Sequence, residues 1–563
     1  YFKKGSQIID ANYNAIDESI KYLEKVELIT NEKEDVLDIS TTVFEYMSKR
    51  RGDELAVSAF KDLPDGRFES GTSKLEKRSI SEIVPHWLKN TCIECNQCSF
   101  VCPHGVIRPY LLSEEEYNKA PEFIRERCKD AIGKFDGKYY FVMGISIKDC
   151  TGCGLCIKTC PGKSTVKALI SEQLDIELKN REQEVFDYLS LNIKDKKLLP
   201  KTTVKGTQFA EPKFMFHGAC AGCGEPAYIK LLTQLFGDSL IIANATGCSS
   251  IYGGSAPSMP YTIPWANSLF EDNAEFGFGI LNATNVIRDR IGRIMEENLD
   301  SSNKELFSRY LENPNDYEAT KEVYGSLNYE DCPKELVSIK NYIPKKVIWS
   351  VGGDGWAYDI GYGGIDHVLA SNENINILVL DTQIYSNTGG QSSKSSKAGS
   401  IASFTSKGKN NYKKDLARIA MCYPHVYVAC VNIGYNKEQY LKALQEANNH
   451  NGPSIIIAYA PCIEHGIKTG MEHSLDDAYL ASKCGYFLTF RYNPDTQTFS
   501  LDSKDVDFDR YDEFLSNENR YVNLKRVNPK NAEEILNQQK KNAIKRFEFY
   551  KKMSEFSSLE NNN

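Results

Sequence analysis

Eight cysteines in two identical runs constrain this chain more than any other feature. Cys92-x2-Cys95-x2-Cys98-x3-Cys102-Pro103 is followed by Cys150-x2-Cys153-x2-Cys156-x3-Cys160-Pro161. Three thiolates at x2 intervals wrap one iron–sulfur cube, and the proline turns the chain so that the fourth reaches the other cube. The spacing predicts Cys92, Cys95, Cys98 and Cys160 on one [4Fe–4S] cluster, with Cys150, Cys153, Cys156 and Cys102 on a second. Zinc sites pair two CxxC units or mix in histidine, and the doubled pattern does neither. Two such clusters side by side carry electrons and do no chemistry on a substrate.

Composition narrows the rest. The chain has 563 residues, 68 basic against 76 acidic, for a formal net charge of −8. That balance gives no electrostatic reason to expect nucleic acid. No apolar run reaches the ~18 residues of a membrane span. Seventeen cysteines without a secretory leader point to a reducing compartment, the cytoplasm or an anaerobic organelle, rather than to a disulfide framework. Five cysteines (Cys128, Cys332, Cys422, Cys430 and Cys484) read as ordinary thiols. The chain opens on Tyr1, so it reads as part of a longer protein. Residues 1–28 are expected to be the last helix of a preceding domain and 29–75 a linker. Residues 76–195 form the two-cluster ferredoxin-like α+β domain, 196–212 a second linker, 213–510 a parallel-sheet α/β domain, and 511–563 a helical tail. The basic run Lys394 to Lys414 reads as a solvated, glycine- and serine-rich loop.

The α/β assignment rests on the apolar runs "SLIIANATG", "KKVIWSVGGDG", "INILVLDT", "HVYVACVNIG" and "PSIIIAYAPC". Each is rich in β-branched residues, ends in a turn and alternates with helical patterns, as parallel strands with crossover helices do. Ligands in such sheets sit beyond the carboxyl ends of the strands. Gly353-Asp354-Gly355 lies at one end and Asp381 to Gln391 at the next. Asp354 is a hard oxygen donor suited to Mg²⁺, and the glycines allow backbone to approach a diphosphate. No GxGxxG follows any of these strands, which argues against a nicotinamide dinucleotide. The GDG spacing is similar to the thiamine diphosphate motif, with Asp381-Thr382 where the usual asparagine ligand would stand. In "GACAGCGE", Cys220 and Cys223 fit half a zinc knuckle, a redox pair or half an iron–sulfur site.

Taken together, "CIECNQCSFVCPHGVIRP", "GACAGCGE", "NATGCSSIYGGSAP", "WANSLFEDNAEFG", "VGGDGWAYDIGYGGIDHVLAS", "YSNTGGQSSK" and "IIIAYAPCIEHG" resemble the C-terminal half of the pyruvate:ferredoxin (flavodoxin) oxidoreductases, within the 2-oxoacid:ferredoxin oxidoreductase family. The resemblance implies a third [4Fe–4S] cluster on Cys220, Cys223, Cys248 and Cys462. It implies Mg²⁺ held by Asp354, Thr382 and the carbonyl of Ile384. Thiamine diphosphate would meet Glu225, Cys248, Gly353, Asp354, Gly355, Trp356, Thr382, Gln383, Ile384, Tyr385, Ser386 and Asn387, and the Asn387 amide would face substrate. The implied reaction is oxidative decarboxylation of pyruvate with coenzyme A to acetyl-CoA and CO2. Electrons would leave singly, through three clusters, to ferredoxin or flavodoxin. Two alternatives are electrons passing to NADP⁺ through a flavin module fused after residue 563, and an electron-transfer module without catalysis of its own. Members are usually homodimers, and their N-terminal domains hold the cofactor-activating glutamate, the pyruvate-binding arginine and most of the coenzyme A site. Residues 1–563 alone are therefore expected to be inactive on pyruvate.

Overall fold

The apolar runs become strands because a parallel sheet covered on both faces needs side chains that are apolar on both. In the computed structural model, which describes residues 6–19, 21 and 39–560, the strands are β1 (Ile83–Trp87), β2 (Ile107–Ser113), β3 (Lys129–Asp130), β4 (Tyr139–Ile145), β5 (Leu169–Gln173), β6 (Leu240–Ala245), β7 (Trp265–Ser268), β8 (Val347–Gly353), β9 (Asn376–Asp381), β10 (Tyr427–Val431), β11 (Ser454–Tyr459), β12 (Phe490–Asn493) and β13 (Thr498–Leu501). The last eight form one sheet in the order β13-β12-β10-β11-β9-β8-β6-β7. Its strands from β10 to β7 run parallel, and β12–β13 close one edge as an antiparallel hairpin. Every residue of β9, β10 and β11 is buried.

Alternation sends successive residues to opposite cores. Ile348, Ile377 and Val428 face one layer, with helices Asn273–Glu297, Tyr362–Leu369 and Ser474–Lys483. Trp349, Leu378 and Ala429 face the other, with helices Glu225–Phe236 and Lys437–Asn449. The second core also takes in Phe100, Val101 and Leu155 from the cysteine-rich region. Tyr511, Phe514, Tyr521, Ala543 and Tyr550 of the C-terminal stretch belong to the first core, so that tail is part of the domain. A helical insertion, Lys304–Glu312, Tyr317–Ser326 and Lys334–Ile339, closes a small core of its own and was not foreseen from sequence.

The cysteine-rich region pairs β1 with β5 and orders β2-β4-β3, both antiparallel. Its two motifs share one backbone. In each, the third cysteine lies on a five-residue helix, Gln97–Val101 or Leu155–Thr159, and the fourth caps that helix. Glu94 and Asn96 take the same left-handed conformation as Gly152 and Gly154. Non-glycine residues hold that conformation only when their surroundings over-determine it. For Glu94 the surroundings are visible: it is buried, paired with Lys129 at 3.3 Å, and accepts from Ile132 N.

Three expectations need correction. The first linker, 29–75, carries helix Ile39–Ser48, with Val43 and Phe44 buried, and then the short turns Gly52–Glu54 and Val57–Phe60. Residues 29–38 of that linker, and 1–5, 20 and 22–28 of the preceding segment, lie outside the described residues; Ser6–Ser19 is helical and largely exposed. The second linker, 196–212, is packed: Gly206, Thr207, Gln208 and Ala210 are buried, and Ala210 O accepts from Gln234 Nε2. The Lys394–Lys414 run is solvated only in part: residues 403, 404, 406, 407 and 410–412 are exposed, whereas 395–397, 399, 400, 408 and 409 are buried. Lys397 and Lys409 are buried, because their ammonium groups donate to the carbonyls of Tyr486, Ser393 and Ser396.

Among the described residues, no helix is long and apolar enough to cross a membrane.

Candidate functional site

Strand register assembles the site. β8 and β9 pair with Gly353 opposite Leu380, so Asp354 and Thr382 leave the sheet side by side at its carboxyl edge. Cys248 follows β6 and Cys462 follows β11, the flanking strands in the order β11-β9-β8-β6. Four adjacent strands thus each deliver one of the sequence-derived residues to the same edge. Cys248, Asp354 and Thr382 border a cleft enclosing about 510 Å³, part of it open to solvent, and Cys462 lies behind Ser386 of its wall.

The Thr382 hydroxyl oxygen lies 2.9 Å from Asp354 Oδ1, 3.0 Å from Ile384 O and 3.2 Å from Ser386 Oγ. A hydroxyl has one proton and can satisfy only one of these oxygens. The lone pairs left over, on hard oxygen donors gathered at one point, suit Mg²⁺. Ser393 Oγ donates to the other Asp354 oxygen. Burial first, then the neighbouring Asp381 charge, raises the Asp354 carboxyl above its usual range, a cost that a bound cation removes. Asp381 itself faces away: its oxygens accept from Tyr358, Ser395 and Lys413.

The backbone of this loop is fixed from behind. His465 Nε2 donates to Thr382 O at 2.6 Å, and burial keeps that imidazole neutral. Gln383, in the left-handed conformation at φ 61°, turns its side chain away from the cleft. Its Oε1 accepts from Tyr486 OH at 2.5 Å and Arg520 Nη2 at 3.3 Å. The Gln383 side chain therefore anchors the loop to the core, and any contact of Gln383 with cofactor would be through its backbone. Arg520 is also paired with Glu518, 2.7 Å from Nε to Oε2, and both are buried. Arg520→Met strands the Glu518 charge, and we predict a loss of about 3–5 kcal/mol, read as a lower midpoint in chemical denaturation.

The other expected cofactor contacts (Glu225, Cys248, Gly353, Gly355, Trp356, Ile384, Tyr385, Ser386 and Asn387) all line the cleft, with Asn387 exposed at its mouth. Glu225 opens helix Glu225–Phe236, accepts from Tyr252 OH at 3.0 Å, and is pushed up to about 7 by burial, with Asp354 adding. Gly355 begins a π turn, Gly355–Ile360, a form often found at functional sites. A Cβ there would stand 2.3 Å from the Tyr385 ring. Gly355→Ala must displace that ring from the cleft wall. We predict a cost of about 1–3 kcal/mol and weaker diphosphate binding, checked by thermal unfolding with and without cofactor. Thr246, Gly247, Phe270 and Thr388 also line the cleft and were missed. His465 and Ser393 were missed too, although both fall within or beside the quoted motifs "IIIAYAPCIEHG" and "YSNTGGQSSK".

The thiols fall into three neighbourhoods. Burial holds Cys98 well above its ordinary range, with Cys92, Cys95 and Cys160 pushing the same way. Cys156 is likewise raised by burial and then by Cys153, Cys102 and Cys150, with Cys98 last. Cys92, Cys95 and Cys160 thus lie around Cys98, and Cys153, Cys102 and Cys150 around Cys156. Cys248 is raised by burial, Glu225, Cys462 and Cys220, and Cys223 by burial, Glu225, Cys462 and Cys248. Cys462 Sγ lies 3.3 Å from Ser386 Oγ, which in turn contacts Thr382. The Cys153 thiol meets the N–H of Gly222, between Cys220 and Cys223, so the second and third sets adjoin. Among the described residues no three His, Cys, Asp or Glu side chains are gathered as they would be around a single metal ion. All seventeen cysteines are unpaired, and Cys128, Cys430 and Cys484 are buried.

Residues 91–164 match the 4Fe-4S dicluster domain family, and 337–458 match the thiamine pyrophosphate enzyme C-terminal TPP-binding domain. Residues 28–81 match EKR, a domain of unknown function, over most of the stretch read as a linker. A pyruvate:ferredoxin oxidoreductase of Moorella thermoacetica is 44% identical over 99% of this chain and 50% of its own length. The pyruvate-flavodoxin oxidoreductase of Klebsiella pneumoniae is 41% identical over 98% of this chain and 49% of its own. The mitochondrial pyruvate dehydrogenase [NADP(+)] of Euglena gracilis is 39% identical over 98% of this chain and 31% of its own. A solved 2-oxoglutarate:ferredoxin oxidoreductase from Magnetococcus marinus, 17% identical over 44% of this chain and 65% of that one, overlays with a TM-score of 0.29, too slight a likeness to carry an argument. The chain spans about half the length of the first two relatives. Its dicluster and thiamine-diphosphate domains, and its identity with these enzymes along nearly its whole length, place it in the pyruvate:ferredoxin/flavodoxin oxidoreductase family.

Proposed function

We propose that this chain is the part of a pyruvate:ferredoxin or pyruvate:flavodoxin oxidoreductase that holds the diphosphate, its Mg²⁺ and all three [4Fe–4S] clusters. The overall reaction balances as pyruvate plus coenzyme A giving acetyl-CoA, CO2, one proton and two electrons. Bound in the cleft, thiamine diphosphate supplies the carbon nucleophile for loss of CO2 from a 2-oxoacid, and the clusters accept electrons one at a time. The single observation that carries this reading is the order of residues along the sheet edge. Asp354 and Thr382 sit on the two central strands, with Cys248 and Cys462 on their flanks.

Each residue then has a task. Asp354, Thr382 Oγ and Ile384 O hold Mg²⁺. Glu225, Trp356, Tyr385 and Ser386 wall the cofactor, and Asn387 presents a neutral amide to the substrate at the mouth. Cys220, Cys223, Cys248 and Cys462 hold the cluster on the cleft wall. The Cys153–Gly222 contact makes the Cys102, Cys150, Cys153 and Cys156 set the next station, with Cys92, Cys95, Cys98 and Cys160 beyond it.

The test is titration of thiamine diphosphate into this chain with and without Mg²⁺, paired with turnover by the full-length protein. Mg²⁺-dependent binding is expected, together with reduction of ferredoxin that needs both pyruvate and coenzyme A. This chain alone is expected to be inactive on pyruvate, because substrate and coenzyme A groups lie in the remaining half. Absence of diphosphate binding would leave an electron-transfer module without catalysis. The Euglena relative favours one second reading, electrons passing to NADP⁺. NADP⁺ reduction by the full-length protein would select it.

A further inference from the structure

A second cavity, of mixed polar and apolar lining, lies away from the cleft, between β2 and the packed segment 193–211. Three buried polar atoms among its lining residues have no partner: Arg108 Nε, Tyr110 OH and Gln208 Nε2. Two of the three can only donate, and the tyrosine hydroxyl can also donate. Their residues are 7%, 8% and 1% exposed. A buried donor left unmade costs on the order of 1–3 kcal/mol, so three on residues lining one space require explanation.

The charge points the same way. Arg108 Nη2 donates to Met215 Sδ at 3.1 Å, and its guanidinium lies over the Phe186 ring. Among the described residues it forms no ion pair. Two carboxylates, Glu211 and Asp195, also line the space, and each has a partner: Glu211 pairs with Lys213 at 3.2 Å and Asp195 Oδ1 accepts from Lys197 N at 2.9 Å. Lys194 and Lys196 also line the space, Lys196 being paired with Glu116. A buried arginine without a carboxylate is an uncompensated charge, and an anion relieves it.

Size selects among anions. The space open to water-sized spheres is about 50 Å³, where a single water needs roughly 10–15 Å³. That admits a few heavy atoms. We propose that this cavity binds a small oxyanion, of the size of a carboxylate, bicarbonate, sulfate or phosphate, with Arg108, Gln208 and Tyr110 as its donors. The far end of Gln208 accepts from Ser99 Oγ at 3.0 Å, next to Cys98, so occupancy also braces the first cysteine loop.

The test uses the intact chain prepared without oxygen. Selenate, a heavy isostere of sulfate, is soaked into crystals, and sulfate binding is measured by calorimetry at constant ionic strength, with chloride as control. An anomalous peak within hydrogen-bond reach of Arg108 Nε is expected, with Arg108→Gln weakening binding ~tenfold or more. Tyr110→Phe, which keeps shape and packing, should weaken it a few-fold, so the idea does not hang on one variant folding. Ordered water in the cavity at high selenate would overturn the proposal, as would equal affinity in both folded variants. Binding at crystal concentration only, with no calorimetric signal, would mark an adventitious ion only and would also overturn it.

Discussion

Asp354→Ala is expected to weaken Mg²⁺-dependent binding of thiamine diphosphate by ~100-fold or more, since even outer partners of a metal site are worth about 10–100-fold. Asp354 is the one carboxylate among the three expected ligands, and Thr382 Oγ and Ile384 O contribute no formal charge. The apo protein should not lose stability with it. Burial and Asp381 raise the Asp354 pKa, so the folded state holds its proton more tightly than the unfolded state. The sign follows: this group stabilises the fold below its unfolded pKa, and the benefit is lost as pH rises through the folded value. At pH 8 the variant should therefore melt no lower than the parent, while losing the stabilisation that cofactor gives the parent. Melting curves with and without Mg²⁺ and thiamine diphosphate separate the two effects. A variant that melts lower and still binds cofactor would show Asp354 to be structural.

Cys462→Ser carries the second large effect. Without this thiolate the third set keeps Cys220, Cys223 and Cys248, and the cluster beside the cleft should be lost. Iron should fall from about twelve to about eight per chain, four for each cube, with the dicluster signals retained. Diphosphate binding should survive, because Cys462 reaches the Thr382 loop only through Ser386. Cys422→Ser, at an exposed thiol outside every set, should leave the iron content unchanged. Equal iron in the two variants would exclude Cys462 as a ligand.

The dicluster region was legible in the sequence because a local, repeated cysteine spacing encodes it. The shared left-handed residues in each motif show the backbone obeying that spacing even where Glu94 and Asn96 replace glycine. The strands were legible for a related reason: a sheet buried on both faces must spell each strand as an unbroken apolar run. The proposed third set was not legible from spacing. Cys248 and Cys462 come together only through the order β11-β9-β8-β6, which no window of sequence contains. Family resemblance supplied them. The inward direction of the Gln383 side chain was hidden for a similar reason, since its partners Tyr486 and Arg520 lie more than a hundred residues away. The polar segments 196–212 and 394–414 read as solvated because composition does not reveal partners. Lys397 and Lys409 are buried by distant carbonyls, and Gln208 by Ser99.

The central claim is that this one chain holds three cubes, the third built by a sheet edge beside the diphosphate cleft. Iron and acid-labile sulfide per chain, measured on protein prepared without oxygen, test it most directly. About twelve of each is the expected result; about eight of each, or zinc in place of iron, would contradict it.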